Sequence, residues 1–135
     1  MGGYARLTVL QRMHRPFLVA GSLLALIAVA AGAFGAHGLQ GALTPERLDT
    51  FETATRYQMY HALGLLFVGL AAARWPARSW AGAGLLLLFG TLVFAGSLYA
   101  LALSGIGVFG AIAPIGGASL IGGWLWVTLV VLRDT

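Results

Sequence analysis

FETATRYQMYHALGLL, residues Phe51 to Leu66, is the stretch on which the fold is decided. A charged, amphipathic helix start runs without a break into an apolar segment, and His61 sits where hydrocarbon should begin. At about 100° per residue, Ala54, Tyr57, His61, Gly64 and Val68 share one face, and Met59, Leu63, Leu66 and Leu70 take the opposite one. A polar-and-small stripe backed by a greasy stripe lets a spanning helix address protein on one side and lipid on the other.

Composition sets the class around that stretch. Of the 135 residues, 59% are hydrophobic and 9% charged, and the mean hydropathy is +0.88. That is more apolar surface than one soluble domain of this length would bury, so the chain reads as a single integral membrane domain. The net charge of +4 comes from arginines that flank the hydrophobic runs, which points to orientation signals and anionic headgroups. No basic face or base-reading motif accompanies them, so no nucleic-acid partner is expected. The absence of cysteine excludes disulfides, thiolate metal sites and cysteine nucleophiles.

Upstream, Arg6, Arg12, His14 and Arg15 precede FLVAGSLLALIAVAAGAF, Phe17 to Phe34. At 1.5 Å per residue this run can cross roughly 30 Å of hydrocarbon, and it exceeds the roughly 7–15 apolar residues of a signal peptide. It is read as a retained first span, about 17–37. Gly32, Gly35 and Gly38 then loosen the helix. Thr44 fits an N-cap and Pro45 the first helical position, with Glu46 and Asp49 near the positive end of the helix dipole and Glu52 and Arg56 spaced i,i+4. An interfacial helix start over 45–56 leads into the second span, about 54–73. Downstream, Arg74 to Trp80 forms a turn with interfacial tryptophans, followed by spans of about 82–103 and 108–132 joined by Ser104-Gly-Ile-Gly107. Pro114, followed by Gly116 and Gly117, is expected to kink the last helix where protein covers its backbone. The fold class is therefore all-α, a four-transmembrane-helix bundle. Its arginines fall on one side, so the positive-inside rule places both termini in the cytoplasm, N-in and C-in.

This topology gives every polar side chain a depth. His37, Tyr57, Gln58, Tyr60, His61, Ser97, Tyr99, Pro114, Gly116 and Gly117 gather in the outer half, while the cytoplasmic half is plain hydrocarbon. One reading is an outward-facing pocket centred on His61. The other is that His61 and Tyr99 hydrogen-bond backbone freed by Pro114 and lock the bundle. Arg56 reads as a partner of Glu52 or of a headgroup, and the glycine faces as packing surfaces. His37 and His61 share a side, but Glu52 faces away from His61 and no HxxxH or HxxE pair occurs, so no metal or other cofactor is expected. No nucleophile elbow or intramembrane carboxylate points to catalysis.

GAFGAHGL at 32–39, YQMYHALGLL at 57–66, GSLYAL at 96–101 and PIGG…IGGW at 114–124 resemble the domain of unknown function 423 family. These YgdD/YwdK-like small bacterial inner-membrane proteins are similar to a small animal transmembrane protein assigned to mitochondria. The resemblance extends from about His14 to Trp126 and implies a four-span helical protein with no established activity, substrate or cofactor. It places emphasis on Gly35, His37 and Gly38, on Tyr57, Gln58, Tyr60, His61 and Gly64, on Gly96, Ser97 and Tyr99, and on Pro114, Gly116 and Gly117.

The expectation is a non-enzymatic membrane protein whose outer polar cluster organises the bundle or binds a small ligand or lipid. Membrane lipid and further copies of the chain, met through glycine-rich faces, are the expected partners. The alternatives are an oligomeric conduit for a small solute or ion and, third, an enzyme acting on a lipid or quinone.

Overall fold

The computed structural model describes residues 2–76 and 78–133, with side chains from residue 14 onward. The side chains of Arg6 and Arg12 in the expected basic N-terminus, and Ala77 of the expected turn, lie outside that description. Four helices follow one another: α1 (Gly2–His37), α2 (Pro45–Arg74), α3 (Ala81–Ser104) and α4 (Val108–Leu132). Three are long and apolar enough to cross a membrane, over His14–His37, Ala81–Ser104 and Val108–Leu132. The 30-residue α2 is long enough but more polar, because Glu46, Arg47, Asp49, Glu52 and Arg56 crowd its first turns.

Local chemistry explains the helix ends. Thr44 accepts the amide of Arg47 at 3.3 Å and Pro45 opens α2, which relieves one of the orphan donors at a helix start. Gly105 closes α3 at φ 72°, a left-handed cap that glycine adopts without steric cost. Two residues more and α4 begins, so α3 and α4 run antiparallel. Glu52 and Arg56 are exposed, and among the described residues they form no ion pair. Holding two long side chains together at a wet surface yields little.

Close backbone approach fixes the packing order. A Cβ on Gly21 of α1 would come within 2.8 Å of the Ala62 carbonyl of α2. Gly116 of α4 lies against the backbone nitrogen of Phe94 in α3. Ser119 Oγ donates to the Leu86 carbonyl at 2.8 Å along the same seam. The helix α2 is held between α1 and α3, whereas α4 packs its backbone on α3 alone. The core joining all four contains Phe17, Leu65, Val68, Leu87, Leu120 and Val127. Outside it, Leu26, Leu70, Leu85 and Ile121 are exposed, the greasy outer surface that a lipid environment requires.

Pro114 does not open its helix, and protein does not cover it. The helix α4 is continuous from Val108 to Leu132, and Pro114 is exposed on its outer side. The turn that follows lies against α3 at Gly116.

Candidate functional site

The polar side chains expected together in the outer half form two separate groups, and the second lies deeper than expected: its Trp124 is 16 residues from the Val108 start of α4 and 8 from Leu132. The first is centred on Gln58, which lies on the buried face of α2 between α1 and α3. Its Nε2 donates to the Leu24 carbonyl of α1 at 2.8 Å, and its Oε1 accepts from the Tyr99 hydroxyl of α3 at 2.8 Å. One amide thereby joins three helices. The Tyr99 ring meets Phe51 edge-on, with centroids 5.0 Å apart, a favourable arrangement of ring edge and ring face.

The second group is centred on His61. Its Nδ1 lies 2.6 Å from the Tyr57 carbonyl. A carbonyl oxygen only accepts, so Nδ1 holds the proton and the neutral ring presents Nε2 as an acceptor. The imidazole stacks on Tyr57 at 6.1 Å and 21° and faces Trp124 of α4 at 6.1 Å and 54°. Tyr57 in turn meets Phe94 of α3 at 5.0 Å. Gly64 makes room for the indole, since a Cβ there would come within 3.1 Å of Trp124 Cζ2. His61 is only 6% exposed, and no described residue bonds its Nε2. Tyr57 and Trp124 are 42% and 41% exposed, so the aromatic group reaches the outer surface of the bundle.

The expected single network is therefore corrected. His61 and Tyr99 both turn inward, but they bond different partners, and neither reaches the backbone at Pro114. The separation follows from α2 lying between its neighbours: Gln58 addresses the α1 side and His61 the α4 side. Ser97 is buried and bonds the Phe94 carbonyl of its own helix at 3.0 Å. It lines a groove of about 260 Å³ with Gly96, Phe109 and Ile112, apart from either group. Tyr60 touches only Tyr57 among the site rings, at 5.8 Å. His37 is exposed at the end of α1. Gly116 acts through its contact with Phe94, and Gly117 lies beside that ring.

Sequence reasoning missed Trp124, Phe94 and Arg47. For Trp124 the only available signal was Gly64, a missing side chain on the histidine face. Arg47, among the charges that open α2, carries no motif. It donates from Nε to the Ala102 carbonyl and from a terminal nitrogen to the Leu103 carbonyl, each at 2.6 Å. A guanidinium thus covers the carbonyl end of α3, where cations are favoured. Among the described residues no three histidines and carboxylates are placed to hold a metal ion. Around His61 the surroundings are aromatic.

Four helices, three of them membrane-spanning by length and hydropathy, with a buried polar and aromatic site, define a small α-helical membrane protein. The chain belongs to the family described as protein of unknown function (DUF423), whose profile matches residues 31–117. It is similar to a UPF0382 membrane protein of Staphylococcus epidermidis, 48% identical over 87% of this chain and 95% of that protein. Similarity to the UPF0382 membrane protein of Staphylococcus saprophyticus is 48% over 84% of this chain and 93% of that one. UPF0382 membrane protein YwdK of Bacillus subtilis is 40% identical over 87% of this chain and 96% of its own length. These relatives are bacterial membrane proteins by name, and the chain shares that location. No solved structure matches it.

Proposed function

We propose that this is a non-enzymatic protein of the bacterial inner membrane that uses His61 to bind a small ligand or lipid dissolved in the bilayer. The supporting observation is an imidazole among aromatic rings with one nitrogen to spare: its Nδ1 is committed to Tyr57, and its Nε2 bonds none of the described residues and is not sealed from the bundle surface. A polar atom that faces lipid is expensive to leave unpaired. A hydroxyl or amide donor on a ligand would satisfy this one, and the Tyr57 and Trp124 faces would hold an apolar body beside it. The Gln58 junction then serves as the scaffold that keeps the helices in register.

The proposed topology is multi-pass, with α2 as a fourth crossing and both termini cytoplasmic. Arg15, Arg74, Arg78 and Arg133 lie at one end of the antiparallel helices, as the positive-inside rule favours. A conduit through one copy is disfavoured by the plug of Phe17, Leu65, Val68, Leu87 and Val127 in the core of the bundle. Any association of copies would use bare positions such as Gly32 and Gly96, where a Cβ would meet open space.

Native mass spectrometry of protein extracted with its lipids tests the binding reading. Wild-type protein and Tyr99→Phe should retain a bound mass that His61→Ala loses. Tyr99→Phe, not His61→Ala, should show the greater fall in thermal stability. A wild-type protein with no bound mass, or a bound mass indifferent to His61→Ala, would reject the proposal.

A further inference from the structure

Toward the arginine-rich end, starting two residues beyond the Trp124 that packs on His61, α4 carries a second feature that the reading above does not use. Trp126, Leu129, Val130 and Arg133 line a groove of about 170 Å³. Its walls are apolar, and a guanidinium stands at its end. The wall is held in place rather than loose. Trp126 Nε1 donates to the Ser79 carbonyl at 2.9 Å, and its ring lies flat against Gly82 of α3. That hydrogen bond sets the groove beside the turn between α2 and α3. There, Arg74 and Arg78 each hold their guanidinium 5.4 Å from the centre of the Trp75 ring, a cation–π arrangement.

We propose that this groove binds one anionic phospholipid, with its phosphate on Arg133 and toward the 74–78 turn and an acyl chain along Trp126, Leu129 and Val130. Charge selects the occupant. Of the four acidic residues, Glu46, Asp49 and Glu52 lie in the first turns of α2, at the other end of the molecule, and only Asp134, next to Arg133 in sequence, belongs to this end. The described arginines 15, 74, 78 and 133 lie at this end. A zwitterionic headgroup would bring its own cation into that field, whereas an anionic one brings none. Guanidinium suits phosphate oxygens because its planar fork donates in parallel. The indole supplies the flat apolar and polar face that suits the boundary between headgroup and chain. One site thus joins a charge contact to a shaped apolar wall, which distinguishes it from the general lipid belt.

The test uses full-length protein in detergent with equal amounts of phosphatidylglycerol and phosphatidylcholine of the same acyl chains, read by native mass spectrometry. The wild type should retain the phosphatidylglycerol adduct preferentially. Arg133→Gln should weaken it about fivefold, the effect of one basic side chain at an anionic surface. Arg56→Gln, at the other end, should leave it unchanged. Leu129→Trp, which keeps the charges and fills the groove, should also weaken it, and helical circular dichroism checks that each variant is folded. Equal retention of the two lipids, or an adduct indifferent to both Arg133→Gln and Leu129→Trp, would overturn the proposal. Displacement of the adduct by free glycerol phosphate would overturn it too, because the site would then recognise a phosphate and not a lipid.

Discussion

Gln58 is the residue on which the arrangement of three helices turns. Its amide gives one end to the Leu24 carbonyl and the other to the Tyr99 hydroxyl, so substitutions at its partners have graded effects. Tyr99→Phe removes one interhelical hydrogen bond and should cost about 0.6–1.7 kcal/mol in a detergent unfolding equilibrium, the range found for such bonds in helical membrane proteins. Gly116→Ala should be worse, about 1–3 kcal/mol, because its new methyl meets the Phe94 backbone, which cannot step aside as a side chain can. Gly96→Ala is the control. It adds the same methyl into open space and should leave the melting temperature unchanged. At this scale the sequence was informative about which residues matter and silent about their pairing. Gln58, His61 and Tyr99 stand out as polar groups in apolar helices. The acceptors they found, Leu24 and Tyr57, use backbone carbonyls, which every residue has and no side chain advertises. Trp124 was hidden for a related reason: its ring fills space that a glycine leaves, and many large side chains could have filled it.

Among the elements, the junction of α2 with the end of α3 behaves as a designed contact. The last carbonyls of α3 have no partner within their own helix, and Arg47 supplies donors to two of them. Arg47→Ala should lower stability by about 1–2 kcal/mol, and Arg47→Lys should recover part of that through charge alone. The sharper readout is local. Amide exchange at Gly105, whose N–H bonds Leu101, should accelerate in Arg47→Ala more than exchange in the middle of α3. The start of α2 was legible, since a threonine before a proline has a defined meaning at a helix start, and Thr44 and Pro45 occupy those places. The behaviour of α4 was not. Proline predicts a lost hydrogen bond, but the helix runs on unbroken through Pro114, with its next turn against α3 at Gly116.

For the whole molecule, the class was readable from composition because apolar content of this degree has one common explanation. The order of packing was not, because side chains that face lipid and side chains that face a neighbouring helix are equally apolar. That is why α4, with mean hydropathy above that of α2, turns out to be the peripheral helix rather than a central one. The proposed orientation can be read directly, since a chain without cysteine gives no background labelling. Ala36→Cys should react with a membrane-impermeant maleimide on intact cells, and Ser79→Cys only after the membrane is opened. The reverse pattern would invert the orientation. Helices α1 and α2 share one long seam and α3 and α4 another, while α2 and α3 meet less extensively. Each seam lies within a hairpin whose two members are consecutive in the chain. The gene could therefore be divided at the codons for the 75–80 turn, and the two fragments, made together in one cell, should find each other in the bilayer and restore the intact particle. Ancestry by joining two paired-helix pieces would leave this kind of trace.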